Sequence, residues 1–299
     1  MKIRTISILA VLIVISLNYT NAFAQDASQR MIEDGGTGKY KAIMTTDSSL
    51  ATHTLFRPKD LSAFGGKNKL PVIVWGNGGC FNSPWEHVNF LSEIASHGYL
   101  VIAIGTMPKE SGEQVRGNSK AALLPDAIDW IETQNKDKKS RYYKKIATGK
   151  IAASGMSCGG LETLAVAGDP RIKTIIICNS GIFIEPTGGH PSLPSIRKDQ
   201  LKKIHTPTLY LLGGPSDIAY KNGMDDYLQI NHVPVLVANL DVGHGGTYTK
   251  PHGGEFARVA LNWYNWQLKE DLQAAQMFKG DPPGLAAAPG WTVQKKNLP

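Results

Sequence analysis

From Leu70 onward the chain alternates between short, wholly apolar runs and longer stretches in which apolar residues recur every third or fourth position. The runs LPVIVWG (70–76), YLVIAIG (99–105), KIAASG (150–155), IKTIIICNSG (172–181), TPTLYLLGG (206–214) and VPVLVANLD (233–241) predict buried strands. Between them, WEHVNFLSEIASHG (85–98), AALLPDAIDWIETQN (121–135), the stretch from Gly159 to Ala167 and GEFARVALNWYNWQLK (254–269) carry the helical period, the first of them stopped by Gly98. Continuously apolar strands alternating with helices predict an α/β fold whose mostly parallel central sheet is covered on both faces. Ahead of this region YKAIMTTD (40–47) and ATHTLFRP (51–58) read as two early strands, followed by a glycine- and lysine-rich turn, FGGKNK. The tail from about residue 277 is rich in Pro, Gly and Ala and is expected to be irregular, held to the surface through Trp291.

The amino terminus breaks this pattern. Lys2 and Arg4 precede an apolar run from Ile6 to Leu17 and a small-x-small site at Ala22, Phe23 and Ala24, the order of an export signal ending at residue 24. The run is short for a bilayer span and no cysteine follows it, so neither a stable membrane anchor nor a lipid anchor is expected once it is removed. The expectation is a periplasmic or secreted protein, with one domain over residues 25–299. Its length, 42% hydrophobic content and 19% charged content suit a single large core. The formal charge of +7 loses Lys2 and Arg4 with the signal, leaving +5, and its densest cluster, NKDKKSRYYKK (135–145), reads as a solvated helix end and loop. No nucleic-acid partner is expected. The three cysteines, Cys80, Cys158 and Cys178, lack zinc-ligand spacing, and no metal or organic cofactor is expected.

Candidate chemistry lies where the third of these strands meets the next helix. Ser157, in GMSCG, sits between Gly155 and Gly159. A serine on such a strand-to-helix turn is held in strained backbone geometry, with its hydroxyl above the sheet edge and the first amides of the helix facing a developing anion. An unaided serine is a weak nucleophile, so a histidine base and an orienting acid are expected after later strands. His244, just past the last of the predicted strands and flanked by glycines, fits the base; His252 is the alternative. Asp217, on the turn after LYLLGG, fits the acid, with Glu185 as its alternative, while Asp225 and Asp226 read as solvated helix residues. The amide of Cys158 and that of Gly79 or Cys80, in GNGGC, are the candidate oxyanion donors. Phe81, Trp85, Phe183, Tyr220 and Tyr248 lie on loops at the same edge and are candidate substrate contacts.

The order Ser157, Asp217, His244, together with the GNGGC loop, resembles the α/β-hydrolase superfamily over about residues 39–269. Within it the chain is similar to the compact, uncapped group that includes dienelactone-hydrolase-like proteins, cutinase-like polyester hydrolases and bacterial acyl esterases. It departs from the common pattern in carrying Asn77-Gly78 where a histidine-glycine pair is usual and Cys158 directly after the nucleophile. A dienelactone hydrolase would carry cysteine where Ser157 stands.

The resemblance implies an exported serine hydrolase that cleaves small or polymeric carboxylic esters through an acyl-enzyme. A peptidase or amidase would use the same triad, and a non-catalytic binding protein on this fold would most simply show a broken one. Cys80 and Cys158 flank the expected oxyanion hole, where they form either a disulfide favoured by export or two buried thiols. Cys178, ending a buried strand, is expected to stay a free core thiol.

Overall fold

The computed structural model describes residues 28–109, 117, 119–185 and 193–298. The predicted export signal and His190 lie outside them. Ten strands form one sheet: β1 (Gln29–Arg30), β2 (Ala42–Thr45), β3 (His53–Pro58), β4 (Leu70–Gly76), β5 (Leu100–Ile104), β6 (Ile146–Met156), β7 (Ile172–Cys178), β8 (Thr208–Leu212), β9 (Val235–Leu240) and β10 (Trp291–Lys296), in the order β1-β2-β3-β5-β4-β6-β7-β8-β9-β10. The six strands from β5 across to β9 pair in parallel, and β1, β2, β3 and β10 extend the two edges antiparallel.

Every residue of β4 is buried, which is why its sequence shows no polar alternation. Its two faces nevertheless serve different cores. Leu70, Val72 and Val74 join Ile102, Ile128, Leu164 and Ile175 beneath α2 (Leu123–Lys136) and α3 (Cys158–Val166). Ile73 and Trp75 join Phe90, Val101, Phe256 and Trp263 beneath α1 (Val88–Ser96) and α5 (Gly254–Lys269). A further helix, α4 (Tyr220–Gln229), adds Tyr227 to the first core. None of the described helices is long and apolar enough to cross a membrane.

The tail corrects the expectation of an irregular end. Phe278 stacks on Trp266 at 5.8 Å, and Trp291 packs 6.1 Å from Phe256. From Trp291 the chain then pairs with β9, Trp291 opposite Leu240 through Lys296 opposite Val235. The stretch alternates because one face of this edge strand meets the core and the other meets water.

Candidate active site

The sheet's parallel strands all end at one edge, and the loops leaving β4, β6, β7, β8 and β9 meet there. Ser157 occupies the turn between β6 and α3 with φ 53° and ψ −114°, a region that non-glycine residues rarely adopt. The flanking glycines make the turn possible. A Cβ built on Gly155 would lie 2.3 Å from the Gly159 carbonyl oxygen, and one on Gly159 would lie 2.1 Å from the Gly76 carbonyl. The backbones of β4, β6 and α3 are therefore in direct contact beneath the serine.

His244 follows β9. The Ser157 hydroxyl lies 3.0 Å from Nε2, and Nδ1 lies 2.6 Å from Asp217 Oδ1. A carboxylate can only accept, so Nδ1–H donates to Asp217 and Nε2 is left to accept from Ser157. Asp217 is fully buried at its side chain. Its Oδ1 also accepts from the Ala219 amide at 2.9 Å, and Oδ2 accepts from the Gly213 amide at 3.0 Å and from Asn179 Nδ2 at 2.8 Å. Burial alone would raise its pKa, but the bonds from His244, the two amides and Asn179 outweigh it and hold the carboxyl below its ordinary value. The loops after β8 and β9 are joined by the amides of Val242 and Gly243, which donate to the Gly213 carbonyl at 3.0 and 2.9 Å.

The loop after β4 crosses beside the serine. Gly79 and Cys80 both take left-handed backbone conformations, with φ 59° and 52°. Asn77 ties the loop down: its Nδ2 donates to the carbonyls of Phe81 and Ile104, at 3.0 and 2.6 Å, and its own carbonyl accepts from the Gly159 amide at 2.9 Å. Cys80 and Cys158 are joined by a disulfide, with Cα atoms 5.2 Å apart. Ser119 bridges the same parts, its amide donating to the Cys80 carbonyl at 3.3 Å and its hydroxyl to Glu162 Oε1 on α3. Glu162 is fully buried, and burial pushes its pKa up to about 7.

A cavity of about 380 Å³ opens beside Ser157 and His244. Gly79, Cys158, Leu161, Phe183, Leu193 and Ile218 contribute to its walls, together with Asn179 and Asn222. Of the expected substrate contacts, only Phe183 lines this cavity. Phe81 packs on Gly79 at its margin, and Trp85 lines a separate cleft with Glu86, Asn89 and Thr249. Tyr220 packs partly buried against the core beneath α2 and α3.

Tyr248 is a correction: it is buried among Trp75, His87, Phe90 and Phe256, and its hydroxyl donates to Asn179 Oδ1 at 2.5 Å. The loop after His244 turns inward, so this ring faces the core rather than the cavity. Asp226 is a second correction, since its side chain is wholly buried rather than solvated. Glu185 is exposed, and the carboxylate against His244 is that of Asp217. His252 pairs instead with Glu33 at 3.1 Å. Cys178 is the buried free cysteine, its thiol pushed up to about 12 by burial. No cluster of three or more His, Cys, Asp or Glu side chains suited to a metal ion occurs among the described residues.

Asn179 was not among the expected site residues. It touches Asp217, the Gly243 carbonyl and Tyr248 at once. The one signal for it in the sequence is a polar side chain directly after an apolar strand, at the edge where Ser157 sits.

Residues 39–184 match the family model described as PETase, PET hydrolase-like. The matched stretch carries β2 through β7, the loop of Gly79 and Cys80, and Ser157; it stops before Asp217 and His244. A comparison with curated proteins returns no match.

Proposed function

We propose that this chain, an ester-cleaving serine hydrolase of the α/β-hydrolase superfamily, works through Ser157, His244 and Asp217 by way of an acyl-enzyme. The observation that carries the reading is the continuous relay from Asp217 through His244 to the Ser157 hydroxyl, at 2.6 and 3.0 Å. Ser157 Oγ attacks the ester carbonyl while its proton passes to His244 Nε2. Asp217 holds the imidazole in the tautomer that can receive it and stabilises the imidazolium that results. The amide of Cys158 and that of Gly79 or Cys80 stabilise the tetrahedral oxyanion. As the intermediate collapses, Nε2 returns the proton to the departing alcohol and the acyl group stays on Oγ. Water, deprotonated by the same nitrogen, then releases the acid and restores Ser157.

The disulfide and the basic, apolar amino-terminal stretch support export to an oxidising compartment, after cleavage near residue 24 and with residues 25–299 as one domain. The substrate is a small or polymeric ester. No observation favours an amide over an ester, and the intact relay argues against a purely binding role.

The test is labelling with a fluorophosphonate followed by peptide mapping. The label is expected on Ser157, and Ser157→Ala is expected to lose both the label and at least about 10⁴-fold in kcat on p-nitrophenyl acetate. Wild-type turnover in folded Ser157→Ala would overturn the assignment.

A further inference from the structure

The cavity beside Ser157 has one wall built from two separate stretches of chain. Phe183 follows β7, Leu193 lies some way beyond it, and neither belongs to a helix or strand. Loop segments of this kind hold a shape only if something buried fixes them.

The anchor lies on α4, and the one group in it that reaches both stretches is the Asp226 carboxylate. Asp226 Oδ2 accepts from the Ile182 amide at 2.8 Å, one residue before Phe183. Oδ1 accepts from Lys198 Nζ at 2.6 Å, five residues beyond Leu193. The same ammonium reaches Asp225 at 2.6 Å and the Asn222 carbonyl at 3.4 Å. One turn along the helix, Asn222 Oδ1 accepts from the Ile184 amide at 3.4 Å and Asn222 itself lines the cavity. The fit is close: a Cβ built on Gly181 would lie 2.3 Å from the Gly223 nitrogen, so this stretch lies directly on the α4 backbone.

We propose that Asp226 is a positioning residue for substrate selection, clasping the stretches that carry Phe183 and Leu193 against α4 and thereby setting which ester groups the cavity accepts. The proposal rests on the reading of Ser157 as nucleophile, because it treats this cavity as the substrate's. Asp226 is too far down α4 to belong to the relay, and nothing in the relay contacts it. Its remaining partner, the Tyr210 hydroxyl at 3.2 Å, comes from β8 and does not belong to the wall. Burial pushes the carboxyl up to about 6, still below neutrality, so the ion pair with Lys198 stands at pH 7 to 8.

Two ester series test this: p-nitrophenyl acetate, hexanoate and benzoate vary the acyl half, and ethyl, hexyl and benzyl acetate vary the alcohol half. For Asp226→Asn, KM for the bulky members of the series that uses the cavity is expected to rise about tenfold more than KM for the smallest member, with kcat changed equally across the series. Lys198→Gln, which keeps the Ile182 bond, is expected to move the same ratio about threefold and stands in if Asp226→Asn does not fold. Tyr210→Phe, which removes a buried partner of Asp226 but none of the wall, should keep the wild-type ratio. The proposal is overturned if the folded variants keep the wild-type KM ratio in both series, so that Asp226→Asn lowers kcat/KM for small and bulky esters by one common factor. Ser157→Ala on p-nitrophenyl acetate reports separately on the nucleophile, so loss of that reading cannot be mistaken for loss of this one.

Discussion

Replacing both bridged cysteines, Cys80→Ala with Cys158→Ala, should cost the protein stability far more than activity. The bridge spans a sequence separation of 78 residues, and closing a loop of that length removes about 15 cal/mol/K from the unfolded chain, or about 4.5 kcal/mol at 25 °C. In the folded protein the loop keeps its other ties. Asn77 still donates to Phe81 and Ile104 and still accepts from Gly159, and Ser119 still donates to Cys80. The folded geometry around Ser157 should therefore survive, and the effect should fall on the unfolded ensemble. For a chain of this size the loss corresponds to a melting temperature lower by roughly 8 °C. The turnover of p-nitrophenyl acetate should stay within about tenfold of wild type. Equilibrium unfolding of the double variant, and of wild type with and without reductant, measures the first quantity. Thiol titration of denatured, unreduced wild type should find one free thiol, that of Cys178. A variant that melts within about 2 °C of wild type refutes the entropic argument. A turnover lowered more than about 100-fold in a stable variant refutes the claim that the remaining ties suffice.

Other outcomes follow from the same contacts. Asp217→Asn should lower kcat by about 10³- to 10⁴-fold while Glu185→Gln leaves it near wild type; the reverse order in steady-state assays would move the acid to Glu185. Asn179→Ala takes from the Tyr248 hydroxyl its oxygen acceptor and leaves one Asp217 oxygen short of a donor, so it should destabilise by about 2 kcal/mol and reduce kcat. Unfolding and kinetics measured on one preparation check this, and an unchanged kcat would show that Asp217 does not depend on it. Glu162 is raised from 4.5 to about 7 in the fold, so the folded state holds its proton more tightly than the unfolded chain. Stability is then full below pH 4.5 and falls as pH rises to about 7, a loss of about 3 kcal/mol that Glu162→Gln should abolish. Wild-type and Glu162→Gln unfolding curves that diverge equally at pH 5 and pH 8 would contradict it.

Most of the parallel sheet is legible in the sequence because a strand buried on both faces has to be apolar at nearly every position, as 70–76 and 172–178 are. Ser157 is legible for a related reason, since only glycines can flank a turn in which three backbones touch. What escaped depends on which way a side chain faces after its backbone has left an element. Tyr248 sits on a loop at the right edge yet points into the core, and Asp226 sits beside the more exposed Asp225 on a helix whose rotation the sequence does not set. The strand at 291–296 is hidden behind a run of prolines and glycines, and the strand it pairs with, β9, lies more than 50 residues away. Whether Cys80 and Cys158 bond depends on a Cα separation, 5.2 Å, that no spacing along the chain encodes.

The backbone contact among Gly76, Gly155 and Gly159 divides the molecule into parts with unequal freedom to vary. Any larger residue at these three positions drives a Cβ to within 3 Å of neighbouring backbone, so a saturation library there should return glycine alone. Phe183, Leu193, Ile218 and Asn222 meet open cavity instead, and none of them holds the relay in place. On the proposed reading of this cavity as the substrate's, descendants of this sequence, natural or selected in the laboratory, can exchange one ester for another through those four positions while inheriting the reaction unchanged.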